Sequence, residues 1–217
     1  MIEKRISIFS FNWVWLFFCY GILLLSISWL TNTLIFTDSF YYSLLGNRLG
    51  EERIAQLLEI NKKYKWLGYV ITPVLLLLKW LILAGVVYVG LFLFNKEIAF
   101  RNCFKIVQLA ELAMLFAAVA KLAWFMVYPP QTLEKVQYFY PLAITQLFNP
   151  NQIPKYLIYP LQQINVFEVF YWLFIAGGIQ AFTQKTFAQS LKVTALSYGV
   201  AMAIWCLVIV FIQLQFS

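Results

Sequence analysis

The chain has 217 residues, of which 63% are hydrophobic and only 12% charged, with a net charge of +7. Soluble domains are about 25% charged, and a mean hydropathy of +0.77 over the whole length leaves no room for a separate soluble domain. The expected fold class is therefore all-α, a polytopic transmembrane helical bundle forming a single membrane domain, residues 1–217, of about five spans. Long continuous apolar runs exclude a spanning β-barrel, whose segments are short and alternate in polarity. The basic residues fall mostly in connections, where they set topology and meet anionic headgroups, so no nucleic-acid partner is expected.

In chain order, Lys4 and Arg5 precede a first apolar run over residues 11–36. It is too long for a signal-peptide core and no small-residue cleavage site follows, so it is expected to be an uncleaved span. Gly46 and Gly50 then lead into residues 51–65, which have helical periodicity. Ile54, Leu57 and Leu58 share one face, with Glu51, Glu52, Glu59, Lys62 and Lys63 mostly elsewhere. Such a helix is expected to lie in the headgroup plane. The second span, residues 66–94, is longer than the ~20 residues that cross a bilayer, so it tilts or projects. Pro73 is a candidate kink within it.

Residues 95–105 repeat the amphipathic design in brief. Phe100, Phe104 and Val107 share a face, opposed by Lys96, Arg101 and Lys105. A third span is expected over residues 104–128. The connection 129–164 holds six of the seven prolines, together with Tyr138, Phe139, Tyr140, Phe148, Tyr156 and Tyr159. Proline denies it a continuous helix and the aromatics suit a membrane–water interface, so short helical turns at the bilayer edge are expected. Any part at depth must pack on the bundle. Its role is an interfacial cap, or else a gate or lid over a cavity. Shorter and longer final spans follow over residues 165–183 and 193–215.

Four intramembrane charges are the candidate functional residues: Lys79, Glu111, Lys121 and Glu168. A charge at mid-bilayer costs about 2.5–3.5 kcal/mol on insertion scales, so each should face protein, water or a partner charge. Lys121 and Glu168 are expected at similar depth on consecutive spans and are predicted to pair. Lys79 lies near mid-span with Glu111 as its nearest candidate partner, a turn or two away, while Glu111 itself is expected near a membrane boundary. Paired charges can serve only to fix helix register; the functional alternative is a proton or ion pathway, or a polar substrate contact. With the N-terminus inside, the two sides hold equal numbers of Lys and Arg, so the positive-inside rule does not select an orientation; N-inside, C-outside is the expectation.

Helix packing is expected at small-residue ladders: Ala195, Gly199 and Ala203 on the last span, Gly177 and Ala181 on the fourth, and Ala113 and Ala117 on the third. Cys19, Cys103 and Cys206 are far apart and lack metal-ligand spacing, and the chain has no histidine. No metal, no cofactor and no disulfide are expected. No serine has a histidine or lysine at dyad spacing, and hydrolase, phosphate-loop and dinucleotide signatures are missing, so no catalytic residues are assigned.

The run Phe100-Arg101-Asn102-Cys103-Phe104-Lys105-Ile106-Val107 introduces an alanine-rich span. A proline-broken connection follows, then Asn165-Val166-Phe167-Glu168-Val169-Phe170-Tyr171-Trp172 leads into Ile175-Ala176-Gly177-Gly178. This order resembles the bacterial Yip1-domain membrane proteins over about residues 66–215. The resemblance implies a five-span α-helical fold without enzymatic activity. The family's eukaryotic members are trafficking factors that bind small GTPases through a long N-terminal cytosolic region. Only about ten residues precede the first span here, so GTPase binding is not expected. Bacterial members often look like accessory subunits beside transport machinery.

The expected function is that of a non-enzymatic accessory or scaffold subunit of a larger membrane assembly, for transport or secretion. Its partners would be the lipid bilayer and other membrane proteins or further copies of itself, in a bacterial inner membrane. The main alternative is a small transporter or channel using the intramembrane Lys and Glu residues; a membrane enzyme acting on lipid is a weaker third.

Overall fold

The structure, a computed structural model, describes residues 9, 11–46, 49–94, 98–130, 132–149, 153–183 and 185–215. Lys4, Arg5 and Lys96, named above, lie outside the described residues, as does Pro150, one of the six prolines of the connection. Among the described residues the regular structure is helical, with no strand. Four helices are long and apolar enough to cross a membrane. The protein is an integral membrane helical bundle.

Helix α1, Trp13–Leu34, starts at Asn12, whose side chain accepts from the Val14 amide. Helix α2, Asp38–Leu45, is capped by Thr37. Helix α3, Glu51–Leu93, runs unbroken for 43 residues, about 65 Å and more than twice a ~30 Å hydrocarbon core. The segment 51–65, expected as a separate helix in the headgroup plane, is instead the first part of this spanning helix. Glu, Arg, Ala, Gln, Leu and Lys favour helix, and nothing between Lys65 and Trp66 stops it. Helix α2 packs on this extension: Ile54 and Leu58 are buried, and Lys62 pairs with Asp38 at 2.7 Å. The helix also continues through Pro73, which frees only the Tyr69 carbonyl from the ladder.

Helix α4, Phe100–Val127, is the central post. It begins a turn earlier than expected, so Phe104 and Val107 are buried contacts of the bundle and not part of an interfacial connector. Lys105, expected on the solvated face, is 8% exposed. Its Nζ donates to the Phe9 carbonyl at 2.7 Å and lies 5.3 Å from the Phe11 ring centre. The chain before α1 folds back over the start of α4 and gives this lysine a backbone acceptor.

The connection forms short pieces, as its prolines dictate: α5, Leu133–Tyr138, a 3-10 turn Ile144–Leu147, and α6, Lys155–Gln163. It packs on the start of α7, Val166–Phe182. The Ile144 amide donates to the Ile164 carbonyl at 2.9 Å and the Val166 amide to Leu142 at 3.4 Å. Leu142 has a φ of 55°, a left-handed turn that carries its carbonyl to Val166. Helix α7 has 17 residues, about 25 Å, because the returning connection occupies the remaining depth at its N-terminal end. Asn165, buried there, caps it by accepting from the Glu168 amide at 2.8 Å.

Helix α8, Phe187–Gln215, is 29 residues long and opens with a capping box between Thr186 and Gln189. A π-helical turn, Ala195–Gly199, interrupts it. The wider turn rotates the remainder of the helix and breaks the expected small-residue ladder. Gly199 meets Trp172, where an added Cβ would sit 2.5 Å from the indole, but Ala203 is exposed and Ala195 half-buried. On α7 the contact glycine is Gly178, against Ile106 of α4, while Gly177 meets nothing. Ala113, Ala117 and Ala181 are buried as expected. Sequence reasoning also missed the close approach of α3 and α8 at Gly90, which packs on Ser197.

Candidate functional site

The centre of the bundle is polar. Glu111 is 1% exposed and accepts from groups on three other helices. Lys79 of α3 lies with its Nζ 2.8 Å from Oε1, the Tyr20 hydroxyl of α1 donates to Oε2 at 3.4 Å, and the Tyr171 hydroxyl of α7 donates to Oε1 at 3.3 Å. Buried carboxylates need such donors, because leaving one unmatched in an apolar interior is costly. Lys79 is the open side of the site: its side chain is 50% exposed.

Counted along the helices, Glu111 is about three turns into α4, Tyr171 about three turns from the end of α7, and Lys79 about four turns from the end of α3. These depths agree and place the cluster near the middle of a ~30 Å core. The sequence alone set Glu111 near a boundary and a turn or two from Lys79. The earlier start of α4 and the crossing of α3 remove that offset.

A second carboxylate lies beside the first. Glu168 is 5% exposed; its Oε1 accepts from the Tyr198 hydroxyl at 2.7 Å and from the Trp172 indole N–H at 3.0 Å. Trp172 is one helical turn from Glu168. Tyr198 reaches it because it lies within the π-helical turn of α8, and such turns often mark sites where a side chain is re-aimed. The Tyr171 and Tyr198 rings touch, with centroids 5.0 Å apart, so the two carboxylates are linked through two neighbouring phenols.

Lys121 does not pair with Glu168. Its Nζ donates to the Val136 carbonyl at 3.0 Å and lies 5.7 Å from the Phe125 ring centre. Helix α5 folds across the end of α4 and supplies that carbonyl before any side chain can. Lys79, Glu111 and Glu168 thus come together, and Lys121 belongs to the connection.

The residues that complete the site are aromatic: Tyr20, Tyr171, Tyr198 and Trp172, with the Trp80 ring packed against those of Phe17, Tyr20 and Phe104. A polar hydroxyl in the middle of an apolar run was the available signal for the three tyrosines. Gln108 is fully buried one turn before Glu111, and its Nε2 donates to the Trp13 carbonyl at 3.0 Å. Tyr140 of the connection closes one end; burial, and then the carboxylates Glu168 and Glu111, raise its phenol to about 12.

Among the described residues no group of His, Cys, Asp and Glu could hold a metal ion. Chemically, the cluster offers two carboxylates and one ammonium, joined by phenols that can donate or accept. It can hold a proton, or lock five helices in register. Fold and site together define a polytopic helical membrane protein with a buried Lys–Glu–Tyr centre. Comparison with protein-family models, with curated proteins and with solved structures returns no match.

Proposed function

We propose that the protein is a non-enzymatic accessory or scaffold subunit of a larger membrane assembly, for transport or secretion, in a bacterial inner membrane, like the Yip1-domain proteins that its second half resembles. The observation that carries this reading is the length of α3. Counting back ~20 residues from Leu93 uses up a bilayer core near Pro73. The helix continues for about six turns beyond that point. On this extension Ile60, Tyr64 and Trp66 are 55%, 55% and 59% exposed. Apolar and aromatic side chains left exposed on a projecting helix mark a surface for another protein. The self-contained pairing of Lys79 with Glu111 supports a structural role for the central cluster.

Purification in mild detergent tests this. A stoichiometric larger assembly is expected, and Ile60→Lys with Tyr64→Lys should release the partner without lowering the melting temperature. A homogeneous small oligomer that carries a substrate, with flux abolished by Lys79→Ala, overturns it.

That outcome belongs to a second reading, a small transporter or channel. One observation favours it: Lys79, the partner of the buried Glu111, is half-exposed at mid-depth, and a second buried carboxylate, Glu168, lies on the neighbouring helix.

A further inference from the structure

One cavity lies well away from the central cluster. It lies between the C-terminal end of α4 and the proline-rich connection, with a volume of about 870 Å³, within the range of small-molecule sites. One wall is aromatic. Trp124 stacks on Phe139 with ring centroids 5.3 Å apart and 16° between planes, and Phe148 closes the far side. The other wall carries Lys135, Gln146 and Thr145. Thr145 is 6% exposed, and its Oγ1 has no hydrogen-bond partner among the described residues. A buried hydroxyl without a partner costs on the order of 1–3 kcal/mol, so an occupant that bonds it is favoured.

We propose that this cavity binds one anionic phospholipid, with its phosphate on the Lys135–Thr145–Gln146 side and its glycerol and first acyl carbons against Trp124, Phe139 and Phe148. Three features select that occupant. The cavity sits at the end of a spanning helix, level with Trp124 and Tyr128, where interfacial aromatics meet headgroups. Its polar wall is cationic and rich in donors, which suits a phosphodiester. Its aromatic wall suits an alkyl body and disfavours a free, fully hydrated phosphate. The connection then acts as a clamp: Lys121 ties α5 to α4 through the Val136 carbonyl, and Gln162 ties α6 to the end of α5 through the Gln137 and Tyr138 carbonyls.

The test is native mass spectrometry of the full-length protein in a non-ionic detergent, titrated separately with phosphatidylglycerol, phosphatidylcholine and inorganic phosphate. One phosphatidylglycerol per chain should survive activation that strips other lipid. Lys135→Ala with Thr145→Val, if still monodisperse, should weaken its binding about a hundredfold, two hydrogen bonds to a charged group at about tenfold each. Equal occupancy in wild type and variant marks annular lipid and overturns the proposal. So does phosphatidylcholine bound as well as phosphatidylglycerol, or inorganic phosphate competing as well as the lipid. As a measurement that needs no variant of the polar wall, one brominated phosphatidylglycerol per chain should quench wild-type tryptophan fluorescence more than that of Trp124→Phe; equal quenching also overturns it.

Discussion

The Nζ of Lys79 lies 2.8 Å from Oε1 of Glu111, and the two partners differ sharply in surroundings: the lysine side chain is 50% exposed and the carboxylate 1%. The buried partner therefore depends on the pair more than the exposed one does. A lone ammonium at this depth can reach outward along its flexible stem, whereas Glu111 is enclosed by α1, α3 and α7 and cannot.

Removal of Lys79 should accordingly cost about 3 kcal/mol, since it strands a buried carboxylate. The double variant Lys79→Met, Glu111→Leu should recover part of that loss, because the buried charge is gone, while the Tyr20 and Tyr171 hydroxyls lose their acceptor. Unfolding midpoints in detergent measure both. A double variant no more stable than Lys79→Met alone contradicts the coupling.

The 2.7 Å bond from the Tyr198 hydroxyl to Glu168 joins α8 to α7 through a charged acceptor. Tyr198→Phe should lower stability by about 2 kcal/mol, in the range for hydrogen bonds to charged groups. Glu168→Gln should soften that penalty, since a neutral amide needs the phenol less. Thermal melts of the two single variants and the double variant check this.

Gly178 and Gly177 are adjacent yet should behave differently. A Cβ at Gly178 would lie 2.7 Å from Ile106 Cγ1 and Cγ2, whereas one at Gly177 meets nothing. Gly178→Ala should cost about 1–3 kcal/mol through overpacking, and Ile106→Ala should partly relieve it. Gly177→Ala should be neutral or slightly stabilising through its helix propensity. Melting temperatures that fall equally in the two variants would contradict the assigned helix contact.

Tyr140 supplies a pH dependence. Its phenol is raised from the ordinary 10.0 to about 12, chiefly by burial, so the folded state favours the neutral form. The stability this contributes is fully present below about pH 10, where the unfolded phenol begins to ionise, and is lost as the pH rises through about 12. The difference in ultraviolet phenolate absorbance between wild type and Tyr140→Phe should show a transition near pH 12.

The Lys62–Asp38 pair at 2.7 Å is the contrasting case, with side chains 64% and 54% exposed. Asp38→Asn should change stability by less than about 1 kcal/mol. A melt unchanged within that limit is the expected result; a large loss would mean that α2 holds α3 through this pair.

Much of the chain was legible because apolar length is a local property. The runs around residues 11–36, 66–94 and 104–128 each cross a bilayer by composition alone, and the prolines of the connection kept it from forming one continuous helix, although Pro160 lies within α6. What misled was also local. Periodicity over residues 51–65 described an amphipathic helix correctly, but it did not say whether that helix ends before Trp66; continuity depends on the absence of a stop signal across the join. The spacing of Ala195, Gly199 and Ala203 assumed a regular α-helix, and the π-helical turn invalidated that assumption.

The amino-acid sequence by itself determined that this is a helical membrane protein with ionisable residues at depth, because burial of apolar side chains and the cost of an unmatched charge follow from residue type. The tertiary structure decided which charges meet. Depth along one helix fixes a residue's height but not its azimuth, and partners on α1, α3, α4, α7 and α8 are chosen by how the helices cross. So Lys79 found Glu111 with Tyr20 and Tyr171, Glu168 found Tyr198 through a local change of helical pitch, and Lys121 found a backbone carbonyl that belongs to no spanning helix.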